Sequence, residues 1–204
     1  MQTTIDFLRH GEASGGSYYR GSTDDPLTPK GWQQMQLAIT NHHWDHIISS
    51  PLIRCLAFAQ QTNTQEETPL TITDNWQEMH FGDWEGKTAD QINQQDLMQF
   101  YKDPVNNTPA NAEAFSSFLA RVNLAWSNLI NTYHGKHVLV ITHAGVIRAL
   151  FKLHLDLPAN KLFNLKIDHA SLTRFQCFHD TPKHFIQLEF HNLTQSHLYS
   201  EKIK

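Results

Sequence analysis

Cysteine is scarce in this sequence of 204 residues. Cys55 and Cys177 are the whole complement, so no disulfide framework can be written. Both read as buried free thiols of the kind an intracellular protein keeps. Long hydrophobic runs are also missing. None approaches the roughly 20 apolar residues of a membrane-spanning helix. The opening residues, Met1 to Arg9, have neither the basic start nor the long apolar stretch of a signal peptide, and they already carry Asp6. A cytoplasmic location with no membrane contact is therefore expected. Positive charge is in slight deficit, with Lys and Arg at 16 against 20 Asp and Glu, for a formal net charge of -4. That balance argues against nucleic acid as a partner while leaving room for a small cationic pocket. There is no repeat, low-complexity segment or linker, and residues 1–204 read as a single domain. Nothing in the sequence bears on oligomeric state.

Aromatic residues, by contrast, are plentiful. Five Trp and twelve Phe within a 40% hydrophobic composition are ample for one core. Histidine is in surplus at fourteen. No His-Glu-x-x-His occurs, and His42-His43, His134/His137 and His179/His184 do not match a metal-ligand spacing, so most read as solvated imidazoles. No metal and no cofactor are called for.

Patterning gives the elements. Thr3 to Leu8 is a β-rich run. Thr28-Pro29 is a cap followed by a first-turn proline, opening a helix to about Asn41. Ile47-Ile48 predicts a strand. Ser50-Pro51 repeats the cap signal for a helix to about Gln61. A short strand follows at Leu70 to Thr73, and residues 88–102 are weakly helical. Phe115, Phe118, Leu119, Val122, Ala125, Trp126 and Leu129 recur at helical spacing within Ala112 to Tyr133. Val138-Leu139-Val140-Ile141 is apolar throughout, as in a strand covered on both faces. A helix over Val146 to Leu155 and late strands at Ser171 to Phe178 and Phe185 to Phe190 complete the pattern. Strands alternating with helices predict an α/β fold, a three-layer sandwich with a mainly parallel central sheet flanked by helices.

In such sheets the ligand site lies beyond the carboxyl ends of the strands. That rule selects Arg9 and His10 after the first strand, Arg54 in the helix after the second, and His143 after the strongest strand. Two guanidinium groups and two imidazoles make a cationic pocket in an acidic chain, suited to phosphate. Ala144 and Gly145 open a helix whose free N–H groups and dipole also favour an anion, so Ala144 is a candidate substrate contact.

These residues fall in motifs. Leu8-Arg9-His10-Gly11-Glu12 resembles the signature of the histidine phosphatase, or phosphoglycerate mutase-like, superfamily. So do Tyr19-Arg20-Gly21-Ser22-Thr23, Ser49-Ser50-Pro51-Leu52-Ile53-Arg54, Gln77-Glu78-Met79-His80-Phe81-Gly82-Asp83-Trp84-Glu85-Gly86 and Thr142-His143-Ala144-Gly145, in that order. The resemblance runs nearly the full length. It implies His10 as nucleophile and carrier of a transient phosphohistidine. It also implies Arg9, Arg54 and His143 as clamps on the phosphoryl oxygens, and Gly21 and Ser22 as substrate contacts. Glu78 would be the proton donor, preferred over Asp83 and Glu85. Arg9, Arg54 and a protonated His143 would balance the phosphoryl charge without a metal. Tyr18 and Tyr19 are candidates for an aromatic rim that stacks on a ring-bearing substrate.

The implied partner is a small-molecule phosphate ester. Lys87 and Lys102 are the only cations between Gly86 and Ala112, so a second phosphate lacks partners. Hydrolysis is therefore preferred over mutase transfer, with a sugar-phosphate or broad-specificity phosphatase as the near alternative. A metal-dependent hydrolase and a phosphate-binding module without turnover are the more distant ones.

Overall fold

The computed structural model describes residues 1–179 and 184–194. The chain enters through β1 (Gln2–Arg9). Its side chains alternate between two apolar layers: Ile5 and Phe7 enter one and Leu8 the other. A strand wanted by both layers must be apolar on both faces, which is why β4 (His137–Thr142) reads as a near-continuous hydrophobic run; β1 is interrupted at Asp6, which is buried with partners of its own. On one face α1 (Pro29–Ile39) contributes Met35 and Ala38, and α2 (Ile53–Glu66) contributes Cys55, Phe58 and Ala59. On the other, α4 (Phe115–Thr132) contributes Phe118, Val122 and Trp126, and α5 (Ala144–Leu155) contributes Val146, Ile147 and Leu150. A shorter helix, α3 (Gln94–Lys102), opens at Asn93, whose side chain accepts from the amides of Gln95 and Asp96 at 2.9 and 3.2 Å. The weakly helical stretch 88–102 is thus a single 3₁₀ turn at Ala89–Gln91 followed by α3.

The six strands lie in the order β3-β2-β4-β1-β5-β6. β2 (His46–Ser49), β3 (Leu70–Ile72), β4 and β1 pair in parallel. β5 (Leu172–Phe178) and β6 (Phe185–Leu193) are antiparallel, β5 to β1 and β6 to β5. The sheet is therefore mixed, which corrects the expectation of a mainly parallel one. The reason is local. Only residues 179–184 separate β5 from β6, too few for a parallel crossover of a dozen or more. Ahead of β5, residues 156–171 climb back to the carboxyl end of the sheet, so β5 must run down it.

Two helix starts contrast. Thr28 caps α1 as its sequence predicts, accepting from Gly31 N at 3.0 Å with Pro29 in the first turn. The cap expected at Ser50 does not form: α2 begins at Ile53, whose amide donates to Asp24 Oδ1 at 2.6 Å. The Ser50 Oγ accepts from Leu52 N at 3.3 Å, ahead of the helix, and lies 2.8 Å from His143 Nε2.

Candidate active site

The register of β1 on β4 pairs Arg9 with Thr142, so His10 and His143 leave adjacent strand ends side by side. Their ring centroids stand 5.2 Å apart. Both imidazoles are buried. His10 Nδ1 lies 2.7 Å from the Gly11 carbonyl oxygen. A carbonyl can only accept, so Nδ1 carries the proton and Nε2 keeps its lone pair. Burial, reinforced by the charges of Arg9 and Arg54, holds the His10 pKa well below its usual 6.5. A neutral imidazole with a fixed tautomer is what a nitrogen nucleophile requires.

The guanidinium groups flank it. Arg54 is fully buried, its Nη1 donating to Thr23 O at 2.7 Å and its Nη2 to Gly21 O at 2.8 Å. Arg9 Nη1 donates to Ile167 O at 2.6 Å. The Nε of each arginine is buried without a partner among the described residues. Two orphaned charged donors are costly in a dry site unless an anion arrives to accept from them. Burial first, then the neighbouring charge of Arg148, lowers the Arg9 pKa to about 10, which leaves it protonated at neutral pH.

His143 departs from expectation. Burial, then Arg54, His10 and Arg9, hold its pKa well below 6.5. In the unliganded pocket it is therefore a neutral hydrogen-bonding group rather than a cation. Ala144 opens α5 beside it, but the amide of the next residue is already used: Gly145 N donates to Glu78 Oε2 at 2.9 Å. Met79 N donates to Glu78 Oε1 at 3.0 Å. The start of α5 thus positions the carboxyl of Glu78. The approach requires glycine, since a Cβ at position 145 would lie 2.0 Å from Glu78 Oε1.

Glu85 has a different task. Its carboxylate accepts from the amides of Gly21, Ser22, Thr23 and Phe81, at 2.9 to 3.1 Å, and from the Thr23 hydroxyl. Burial would raise its pKa, and these hydrogen bonds overcome that and lower it. Gly21 and Ser22 accordingly direct their amides at Glu85, and the Gly21 carbonyl anchors Arg54. Asp83 accepts from Asn111 Nδ2 at 2.9 Å. Of the three acids in this segment, Glu78 alone is placed against the His143-Ala144-Gly145 turn.

A cleft of about 350 Å3 adjoins the site at Arg9, lined also by Glu12, Ser14, Tyr18, Arg20 and His169. Tyr18 stands on its wall, with the Arg20 guanidinium 4.1 Å from its ring centre. Tyr19 does not join it, but packs edge-on against Phe81 and Trp84 at 5.3 Å. A roomier cleft of about 500 Å3 near Asp83, Asp96 and Asn107 contains none of the catalytic candidates.

Several contributors escaped the sequence reading. Ser50 holds His143. His169 sits 5.8 Å from the His10 ring, with burial and the charge of Arg9 lowering its pKa to about 4. Arg121 reaches from α4 to the carbonyls of Asn75 and Gln77, at 3.1 and 3.0 Å, and pairs with Glu113 at 2.8 Å, bracing the strap that carries Glu78. None has a local signature; each matters only through what folding sets beside it.

Residues 5–186 match the model of the histidine phosphatase superfamily, branch 1. The adenosylcobalamin/α-ribazole phosphatase of Escherichia coli K12 is 29% identical over 171 residues, 80% of this chain and 84% of that protein. The crystal structure of the α-ribazole phosphatase from Shigella flexneri superposes with a TM-score of 0.78 at 25% identity, covering 93% of this chain and 96% of the other. A phosphoserine phosphatase mutant of Entamoeba histolytica, in complex with phosphoserine, shares the fold with a TM-score of 0.81 at 24% identity, over 95% and 98% of the two chains. With the strand-end histidines, the flanking arginines and the match over most of its length, the chain belongs to the histidine phosphatase superfamily and is a phosphatase.

Proposed function

We propose that this phosphatase hydrolyses a small phosphomonoester, α-ribazole 5′-phosphate, through a phosphohistidine on His10. The observation that carries the mechanism is the His10 imidazole, held with Nδ1 on Gly11 O and its pKa depressed, between two arginines with orphaned Nε donors. The phosphoryl group enters with its oxygens toward Arg9, Arg54 and His143. His10 Nε2 attacks phosphorus, the ester P–O bond breaks, and Glu78 acts as the acid that delivers a proton to the leaving oxygen. Glu78 then takes a proton from water, which attacks the phosphohistidine and returns His10. Two in-line displacements give net retention at phosphorus. The binding dianion strengthens any proton taken up by His143, so a group neutral in the free pocket gains charge when it is useful.

The substrate assignment rests on relatives and on the wall of the cleft. The segments Glu78 to Glu85, Pro109 through Phe115 to Arg121, and Leu157-Pro158-Ala159 resemble those of α-ribazole-5′-phosphate phosphatases. A cleft of about 350 Å3 falls within the size of small-molecule sites, and Tyr18 offers it a ring. The test is kcat/KM for α-ribazole 5′-phosphate against phosphoserine, phosphoglycerates, nucleotides and fructose 2,6-bisphosphate, with chelator present. A preference of orders of magnitude for the first supports the assignment. Equal rates across the panel would overturn the substrate and leave the reaction. The intermediate is checked separately, by rapid alkaline quench of enzyme turning over labelled substrate. Label bound to wild type and absent from His10→Ala is expected; unlabelled wild-type enzyme together with full activity of His10→Ala would remove His10 from its role.

A further inference from the structure

At the other end of the sheet lies a cluster that the phosphatase chemistry does not use. Cys177 ends the buried part of β5, and His179 follows two residues later, the spacing that returns a side chain to the same face of an extended chain. The β5–β6 hairpin then brings back His184, just ahead of β6. One ligand atom from each of these three residues lies within 4.8 Å of the other two. We propose that Cys177, His179 and His184 bind a divalent cation of the zinc class, which clamps the β5–β6 hairpin.

The donor set argues for that class. One thiolate and two imidazoles, with no carboxylate in the cluster, suit zinc and disfavour magnesium or calcium. Around a tetrahedral zinc, donor atoms stand about 3.3–3.6 Å apart, given Zn–S near 2.3 Å and Zn–N near 2.0 Å. His184 is exposed, so its side chain can swing to close the remaining gap, and water can fill the fourth position from that side. His179 is already oriented: its Nε2 is 2.8 Å from Thr3 Oγ1, which itself accepts from Gly135 N at 3.0 Å. A ring nitrogen fixed by an outer partner is the usual support of a ligating histidine. The His134 ring packs on His179 with centroids 3.8 Å apart, walling the cluster on another side.

The ion would bind with loss of the Cys177 thiol proton to solvent as the metal–sulfur bond forms, with no change of oxidation state. It would tie β5 to β6, whose outer edge is only half-buried. Cys177 pairs with Thr3 and lies six residues of strand from Arg9, roughly 20 Å from the catalytic end. The role is therefore structural.

Cobalt(II) titration of the full metal-stripped chain tests this. One equivalent is expected to produce a sulfur-to-cobalt charge-transfer band, displaced by zinc and absent in Cys177→Ser. Since Cys177 is buried and its variant can fail to fold, His184→Ala is the second arm. It is expected to weaken cobalt and zinc binding at least ~100-fold, more than the loss of an outer-shell partner costs, and to leave phosphatase kcat/KM unchanged. Zinc should raise the Tm of wild type but not of His184→Ala. Histidine-type binding without the thiolate band, or a band and affinity unaffected by His184→Ala, would overturn the site.

Discussion

Gly145 and Glu78 show how narrowly the proposed acid is placed. The carboxylate accepts two backbone amides, and the 2.0 Å clearance for a Cβ leaves no room for alanine at 145. Gly145→Ala is expected to displace Glu78 and to lower kcat on alkyl phosphates by roughly 10²–10⁴-fold, the usual worth of acid–base catalysis. Glu78→Gln should do the same. Both variants should lose far less on nitrophenyl phosphate, whose leaving group needs no proton; equal losses on the two esters would place the defect in phosphate binding. On the proposed mechanism, His10 sets the acid limb. Its pKa lies well below 6.5, and the nucleophile is lost only as pH falls through that lowered value. The kcat/KM profile measured from pH 8 downward should stay level through 6.5 before it falls. Legibility at this scale was uneven. His10, Arg9, Arg54, His143 and Glu78 announce themselves through motif and strand-end position. His143 read as a cation because its burial among other positive groups is invisible in sequence. Tyr19 read as rim because nothing local tells it from Tyr18, yet Phe81 and Trp84 draw it inward.

Among the elements, the loop 21–23 depends on a side chain from another motif. Glu85 gathers its amides, and the same loop supplies the carbonyls that hold Arg54. Glu85→Ala is expected to free the loop, leave four backbone N–H groups without their acceptor, and raise KM as Arg54 loses its brace. The folded state should persist by circular dichroism. An unchanged KM would show that Arg54 is held by its own packing. The helices teach the same lesson in their starts. Thr28 caps α1 with its oxygen, accepting from Gly31 N, while its hydroxyl proton goes to Glu12, and Thr28→Ala should cost about 1 kcal/mol in urea unfolding. Ser50 carries the same cap-then-proline signal, but its Oγ accepts from Leu52 N beside His143 Nε2, and α2 starts later, at Ile53.

On the scale of the whole molecule, two buried charged groups stand out among the described residues. At the active site, cationic donors await an anion. In the middle of β1, Asp6 is fully buried and already satisfied: Arg174 donates to it at 2.7 and 3.0 Å, Trp44 Nε1 at 2.8 Å, and His137 Nε2 lies at 2.8 Å. Burial raises its pKa, but these partners overcome that and bring it from 3.8 to about 2. The folded value lies below the unfolded one, so the carboxylate's contribution, about 2 kcal/mol, is fully present above pH 3.8 and is lost as pH falls toward 2. Buried imidazoles act earlier. His154 and His169 have folded pKa values near 4, lowered first by burial, so the unfolded chain binds their protons first and stability declines as pH drops from 6.5 toward 4. Urea midpoints measured from pH 7 to 3 should fall in two stages, with Asp6→Asn losing most of the second. A flat midpoint from 6.5 to 4 would mean that these histidines are solvated in the native state.

The phosphatase family and most of the secondary structure are legible in the sequence alone. Period-2 and period-3.6 patterns report which faces must leave water, and the order of motifs reports which residue types stand at strand ends. Direction and distance were decided only by the tertiary structure. The short β5–β6 connection turned the last strands antiparallel, and the climb of residues 156–171 brought Ile167 and His169 to the site. Cys177, His179 and His184 became neighbours for the same reason. Periodicity is a property of one segment facing solvent, whereas the partner of a strand end, a lone pair or a buried charge is chosen by packing among segments far apart in the chain.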